Sequence, residues 1–563
     1  MKWILPSNEN GDLIETLFSS RGIKDKEKFL NPKFEDLSSP FDIFGIDSAV
    51  KTISEAIKKK KKIYIHGDFD VDGITATTIM WNFLYRDLNA NVIPFIPNRF
   101  TDGYGLSEEN IKNIISAGGN LLITVDCGVK DIELVNKYAD KIDFIITDHH
   151  TLRKSDEEKV LGSKIIGDYL VSSKAKAVVH PQINKELVFK EICGAAVSWK
   201  VCSALNEYLK SGVDMKKYLD LVALGTVCDV MPLVDENRIF VKLGIDEMRF
   251  TKNVGLKTLM EISGVDIPTL TSYHLGYVIG PRLNASGRLG SAMDAVRLLT
   301  TNSQKYAIEL ASKLNELNKE RQDLTIKYLD IAENLLLQNR DNKIHFIYGE
   351  EWPEGIVGLI AGRLTEKYNK PVLVGSLKDG VIKGSARSIP SFNIAENLKL
   401  LNSFLLKFGG HSQAAGFSLN QNSYLEFDSR LKEIAELSIT SDDLERKLFI
   451  DMVVNERDLD IQVANSIQAL EPFGASNLNP LFALLSSTIN SGIKFIGKDS
   501  SHAKFYLGDN RAIECIFFNY KDKFNSLPSS TARKFDIAGN IELNSWNGNE
   551  KLVLKVKEMR ESE

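Results

Sequence analysis

An α/β fold built on a parallel sheet, joined through a long helix to a second α/β unit and then to a small C-terminal β-barrel, is what this sequence predicts. Three observations predict it. Between residues 61 and 179, short apolar runs alternate with helical stretches, which points to a parallel, doubly wound sheet. From 303 to 337, apolar residues recur at three- and four-residue steps with no Gly or Pro. After Asp442 the chain turns to short strands separated by turn residues.

The elements follow in order. Residues 1–45 read as a loosely organised lead-in, punctuated by Pro32 and Pro40. Lys61–His66 reads as a buried strand, followed by a Gly/Asp loop and an apolar helix from about Ile74 to Leu84. Further strands are expected at Val92–Ile96, Leu121–Val125, Phe144–Thr147 and Ala177–Val179. In such sheets ligands bind beyond the carboxyl ends of the strands. Leu310, Leu314, Leu317, Leu324, Tyr328, Ile331 and Leu335 mark the apolar seam of the long helix, interrupted by Arg321. A helix packed between two domains of one chain explains that seam better than a coiled-coil dimer. The α/β pattern resumes at Ile344–Tyr348, and barrel strands are expected at Phe482–Leu485, Phe505–Leu507, Cys515–Phe518 and Leu552–Val556. The implied division is 1–45, 46–302, 303–340, 341–440 and 441–563.

Composition bounds the function. The chain has 563 residues, enough for three or four domains at roughly 100–200 residues each. No apolar run approaches the ~20 residues of a membrane span, and the N-terminus carries no secretory pattern. Five cysteines without CxxC spacing form neither a zinc knuckle nor a disulfide framework, and they suit a reducing cytoplasm. With 70 basic against 75 acidic residues, a uniformly basic coat is excluded. A local one is not: residues 361–420 hold eight Lys/Arg and three acids, a net +5.

The most informative segment is His66-Gly-Asp68-Phe-Asp70-Val-Asp72-Gly73. Three carboxylates at alternate positions after a strand repel one another, and a bound cation removes the conflict. Two further strands end in the same way, at Asp126 and at Asp148-His149-His150, and Asp229 follows the apolar stretch Leu221–Val227. Singly, each has a bland alternative: a calcium loop (lacking the twelfth-position glutamate of an EF-hand), a helix-capping Asp, a solvated His pair. Together, at one sheet edge, carboxylates with imidazole suit Mn²⁺ or Mg²⁺, and bridging carboxylates support two such ions.

With these residues in hand, the sequence resembles the DHH phosphoesterase superfamily, and within it the RecJ exonucleases. Gly280-Pro-Arg282-Leu-Asn284-Ala-Ser-Gly-Arg288 matches that family's GPRxNAxGR element. Gly384-Ser385-Ala-Arg387 and Gly409-Gly410-His411 match its second domain (DHHA1), and Leu470-Glu-Pro-Phe-Gly opens its OB-fold-like barrel. Pro353 stands where the family has histidine. The resemblance implies a metal-dependent exonuclease that degrades single-stranded DNA 5′→3′ to mononucleotides in repair and recombination. It assigns His66, Asp70 and Asp126 to one metal, and Asp72, Asp126, His149 and Asp229 to the other. Asp126 bridges, Asp68 belongs to the metal set either as a ligand or as support behind one, and His150 contacts the phosphate or orients a ligand. A water held between the two cations is the implied nucleophile, with Arg282 neutralising the scissile phosphate.

Arg99, Ser385 and Arg387 then resemble a pocket for the 5′-terminal phosphate, with Asn284, Arg288 and His411 also along the substrate path. An arginine fork rewards a terminal dianion more than an internal diester. In the barrel, Phe505, Tyr506, Phe517, Phe518, Tyr520 and Trp546 are candidates for stacking bases, although most are expected in the core. Over 441–563, 15 basic against 18 acidic residues leave that domain only modest strand binding. The implied partners are single-stranded DNA, a single-stranded-DNA-binding protein and a helicase, with the chain a monomer away from membranes. A DHH phosphatase or short-oligonucleotide phosphodiesterase is disfavoured by the barrel and long helix, and a non-enzymatic nucleic-acid-binding module by the full ligand set.

Overall fold

The computed structural model describes residues 1–6, 12–99, 102–152, 173–183, 187, 189–490, 493–497, 499–508, 513–520, 534–546 and 549–562. Its first sheet has five parallel strands in the order Val92–Phe95, Ile63–His66, Leu121–Val125, Asp143–Thr147, Ala177–Val179. The register sets His66 beside Thr124, and Val125 beside Thr147. The acidic loop, Asp126 and Asp148 therefore leave the sheet at one edge. The chain runs outward from Ile63–His66 to Val92–Phe95 and then returns to Leu121–Val125. The strand order reverses between His66 and Asp126, which is where doubly wound sheets bind ligands.

The helix after the acidic loop is Val71–Trp81, buried over Val71–Met80. It lies between the sheet and a helical layer that includes Gly194–Leu209, Leu219–Cys228 and Gly280–Leu289. It ends three residues earlier than expected, and a wider helical turn continues over Asn82–Asp87.

The connecting helix runs from Gln304 to Leu337, capped by Ser303. Its buried stripe is Ala307, Leu310, Ala311, Leu314, Asn318, Thr325, Ala332 and Leu336. The expected seam is correct in the first half and slips by one residue in the second, where Ile331 and Leu335 are exposed and Ala332 and Leu336 are buried. The slip is physical. Two members of the true stripe are polar, Asn318 and Thr325, and Thr325 satisfies its hydroxyl on Arg321 O at 2.6 Å. The first half packs on the core of the parallel-sheet domain, and the second half on the sheet that follows.

That second sheet has the order Leu405–His411, Ala414–Asn420, Val381–Arg387, Val372–Lys378, His345–Glu350, with only the last pair parallel. Leu405–His411 is an exposed edge strand. The C-terminal strands Phe482–Thr488, Lys534–Trp546, Asn549–Glu561, Ile513–Phe517 and His502–Leu507 are hydrogen-bonded in that order. A bridge between Ile489 and Leu507 returns the last to the first, closing a five-stranded barrel.

The lead-in departs from the expectation of loose organisation. Lys2–Ile4 pairs in parallel with Lys447–Phe449, and Leu17 and Phe18 of the helix Leu13–Ser20 enter the barrel core. Arg238, 2% exposed, donates to the carbonyls of Phe29, Leu470 and Glu471, tying lead-in, first domain and barrel together. These contacts lie hundreds of residues apart in sequence, so local pattern does not reveal them. All five cysteines are free, and among the described residues no helix is long and apolar enough to cross a membrane.

Candidate metal centre and nucleic-acid cleft

Asp70 caps the helix Val71–Trp81, its Oδ1 accepting Gly73 N at 3.0 Å, so the turn from strand to helix aims the acidic loop at the sheet edge. Asp72, one turn in, accepts Gly194 N at 2.6 Å and Ala195 N at 2.8 Å. The N-terminus of helix Gly194–Leu209 thus fixes this anion. Asp126 follows its strand with φ +62°, a left-handed conformation unusual for a non-glycine residue and common where geometry serves a site. Asp229 follows the helix Leu219–Cys228.

Three donor groups form, each with its atoms within 4.8 Å of one another: Asp68–Asp70–Asp126, Asp72–His149–Asp229 and Asp126–His149–His150. Asp126 belongs to two of them. His149 Nε2 lies 3.1 Å from Asp126 Oδ1 and 3.6 Å from both Asp72 Oδ2 and Asp229 Oδ2. It hydrogen-bonds none of them, and His66 Nε2, Asp68 Oδ1 and Asp126 Oδ1 are likewise buried without partners. Orphaned buried donors cost free energy unless something outside the protein satisfies them. Donors converging without bonding one another fit divalent cations, and the oxygen-rich set with imidazole fits Mn²⁺ or Mg²⁺. His66 closes its strand beside this cluster but falls in none of the three donor groups, whereas Asp68, whose direct part in the metal set the sequence leaves open, falls in one.

Electrostatics agree. Burial pushes the carboxyls of Asp68, Asp70, Asp126 and Asp229 above the usual range, and neighbouring carboxylates push them further. Burial brings His66 down to about 4 and lowers His149, leaving both as neutral donors. Asp148 differs. Burial opposes its charge, but it accepts from His149 N, His150 N and His150 Nδ1 at 2.8–3.1 Å, and with the His150 charge it is held below the usual carboxylate range. It is therefore the anchor of the His pair. At His150 burial is the largest influence and lowers the pKa, but the hydrogen bond to Asp148 and the charge of that carboxylate together outweigh it and raise the pKa.

Several participants carry no motif signal. Tyr104 places its hydroxyl 3.1 Å from His150 Nε2, and His180 Nε2 lies 3.0 Å from His150 O. Gly194 is the clearest: a Cβ there would sit 2.5 Å from Asp126 Cβ. The run Gly194-Ala-Ala at a helix start is its sequence trace. Gly194→Ala is expected to lower kcat by about two orders of magnitude through displacement of Asp126, at ~1–3 kcal/mol of stability. Steady-state kinetics beside a thermal melt check this, and full activity would show that Asp126 tolerates the displacement.

The arginines divide. Arg288, on helix Gly280–Leu289, donates to Gly355 O at 3.1 Å. Burial, then the charges of Arg99, Arg321 and Arg387, lower its pKa to about 10, with Asp70 opposing. Arg99 lies over the Phe69 ring at 4.9 Å; burial lowers its pKa, with the charges of Asp68 and Asp70 opposing. Arg387 donates to Ser385 Oγ at 2.7 Å and to Ala386 O at 2.8 Å, and feels Arg99. Arg99 and Arg288 from the first domain thus meet Ser385 and Arg387 of the second. His411 ends the exposed edge strand, and besides partial desolvation the charges of Lys130 and His150 lower its pKa, which places it across the cleft from the His pair.

Two expected substrate residues have protein partners. Asn284 Oδ1 accepts Val71 N at 3.2 Å, bracing the acidic loop. Arg282 donates to Val278 O at 2.6 Å and Asn315 Oδ1 at 3.0 Å, and no metal-site carboxylate figures among the influences on it. Pro353 is the capping position of helix Glu354–Tyr368.

In the barrel, Phe505 and Phe517 are fully buried, as expected for core. Phe518 is 45% exposed, and Tyr520 stacks on the half-exposed Phe495 at 5.1 Å. Phe495, unremarked in the sequence, therefore joins Phe518 and Tyr520 as a base-stacking candidate; the side chain of Trp546 lies outside the described residues.

Comparison with known proteins agrees with this geometry. Residues 62–226 match the DHH family, N-terminal domain; 341–437 the DHHA1 domain; and 450–558 the RecJ OB domain. The single-stranded-DNA-specific exonuclease RecJ of Bacillus subtilis is 34% identical over 561 residues, covering 98% of this chain and 68% of that protein. The crystal structure of RecJ in complex with Mn²⁺ from Thermus thermophilus superposes with a TM-score of 0.83 at 29% identity, covering 100% of this chain and 80% of that one. The Mg²⁺ complex from the same organism gives 0.78 at 28%, covering 100% and 79%. With its three domain types in order and its buried acid–imidazole cluster at the sheet edge, this chain belongs to the RecJ family.

Proposed function

We propose that this chain is a metal-dependent exonuclease that hydrolyses single-stranded DNA from the 5′ end to mononucleotides, serving repair and recombination. One observation carries the reading: buried carboxylate and imidazole atoms without partners lie beside arginines contributed by both α/β units, Arg99 and Arg288 from the first and Arg387 from the second. Asp68, Asp70, Asp126 and His66 are the candidate ligands on one side, and Asp72, Asp126, His149 and Asp229 on the other. Bound there, two divalent cations supply Lewis acidity toward phosphoryl oxygen and lower the pKa of water. The chain's residues do the rest. Asp72 is held in place by two N–H groups, and Asp148, hydrogen-bonded to His150 Nδ1, orients that ring toward the scissile phosphate. Arg99, Ser385 and Arg387 are the terminal-phosphate pocket, and Arg288, which donates to Gly355 O and feels the charges of both Arg387 and Asp70, is the arginine best placed between end recognition and chemistry.

In this reading the domains divide after residues 45, 302, 340 and 440. A single-stranded-DNA-binding protein and a helicase are the partner classes such an activity calls for, because a narrow cleft needs a strand already separated. Every candidate site residue comes from one chain, so a monomer suffices, and the free cysteines suit the cytoplasm.

Single-strand digestion should appear with Mn²⁺ or Mg²⁺ and vanish in EDTA. A blunt duplex, about 20 Å across, should resist, and a 5′ single-stranded tail should restore digestion. Rapid digestion of blunt duplex by helicase-free protein would contradict entry of one strand between the two α/β units.

A further inference from the structure

Arg321 interrupts the apolar seam of the connecting helix, and the metal centre does not account for it. Its guanidinium donates to Asn318 Oδ1 at 2.9 Å, while its buried Nε has no partner. The helix bearing it packs against Gly280–Leu289, which carries Arg282, and against Glu354–Tyr368, which carries Arg363. Arg282 is held by Asn315 of the same connecting helix, six residues before Arg321. Arg363 is exposed and makes no hydrogen bond or ion pair among the described residues. None of the three has a carboxylate partner among the described residues, and Arg321 feels both of the others as like charges. Three cations from three elements, two of them oriented by asparagines, are an arrangement that repels itself until an anion enters.

The terminal-phosphate pocket lies next door, on another face of the same helix Glu354–Tyr368. A Cβ at Gly355 would meet Arg288 O at 2.2 Å, and one at Gly358 would approach Ser385 Oγ and an Arg387 nitrogen at 3.1 and 3.3 Å. That glycine face brings the first arginine set close, and Arg363 follows it around the helix.

We propose that Arg321 and Arg363, with Arg282 beside them, form a subsite for an internal phosphodiester of the single strand, separate from the terminal-phosphate pocket. It rests on the single-strand reading above and extends it. A backbone monoanion needs charge without a fork for a terminal dianion, and arginines held apart on three elements offer that. The seam-breaking arginine then has a purpose: the helix that joins the two α/β units also touches the strand between them.

The test is binding of full-length protein in EDTA to 5′-phosphorylated and 5′-hydroxyl oligothymidylate over a range of salt. Arg321→Gln and Arg363→Gln are each expected to weaken both strands by about three- to tenfold and to reduce the slope of log K against log salt by about 0.7. The preference for the 5′-phosphate should be unchanged. Unaltered affinity and slope in both variants would overturn the subsite, and so would a selective loss of 5′-phosphate preference, which would place these arginines in the terminal pocket. Arg363 is exposed, so its variant keeps the test independent of folding. Failure of the wild-type protein to bind single strands at all would overturn the parent reading instead.

Discussion

Asp126→Ala is expected to lower cleavage by on the order of 10⁴-fold, and Asp68→Ala by on the order of 10²-fold, a difference of about 2.7 kcal/mol in transition-state stabilisation. The reason is membership. Asp126 belongs to two of the three donor groups and lies 3.1 Å from the imidazole nitrogen shared by Asp72 and Asp229, whereas Asp68 belongs to one. Removing Asp126 therefore unsettles both halves of the centre, while removing Asp68 leaves the Asp72–His149–Asp229 half intact. Mn²⁺ binding should report the same asymmetry, with Asp126→Ala losing stoichiometry and Asp68→Ala chiefly affinity. Equal residual activity in two folded variants would remove the bridging assignment and favour a one-metal site.

The second large effect concerns the end of the strand. Arg387→Ala is expected to weaken binding of 5′-phosphorylated strands by about 10–100-fold, since a charge-assisted bond contributes roughly 1.5–3 kcal/mol. Binding of 5′-hydroxyl strands should change little. Arg387 is oriented by Ser385 and neighbours Arg99 across the domain boundary, so its truncation opens one wall of the pocket and leaves the metal ligands in place. The maximal rate on 5′-hydroxyl substrate should accordingly fall far less than in Asp126→Ala. Kinetics on paired 5′-phosphate and 5′-hydroxyl oligonucleotides check this. A loss by the same factor on both ends would assign Arg387 to the general backbone path and place end recognition elsewhere.

The metal centre was legible because its chemistry is written at strand ends. A parallel sheet aligns the carboxyl ends of its strands, so His66, Asp126 and Asp148 had to converge once the strands were identified. Asp229 was found by its residue type, although a helix rather than a strand delivers it. What stayed hidden depends on distant packing. The two N–H groups that fix Asp72 belong to a helix more than a hundred residues away, and backbone donors leave no mark on residue identity. The long helix read correctly where its buried stripe is apolar, and slipped where Asn318 and Thr325 carry the stripe with polar side chains satisfied locally. The lead-in misled because its partners are Lys447–Phe449 and the barrel core, at the far end of the chain. Arg321 could be noticed as an interruption of the seam, but its relation to Arg282 and Arg363 exists only in three dimensions.

Digestion of 5′- and 3′-labelled single strands, with and without Mn²⁺, separates metal-dependent 5′→3′ cleavage from every other polarity or chemistry. A 5′ label should be released at once as a mononucleotide, a 3′-labelled strand should shorten progressively, and both should need the metal. Release of the 3′ label first, or digestion unaffected by EDTA, would contradict metal-dependent 5′→3′ cleavage.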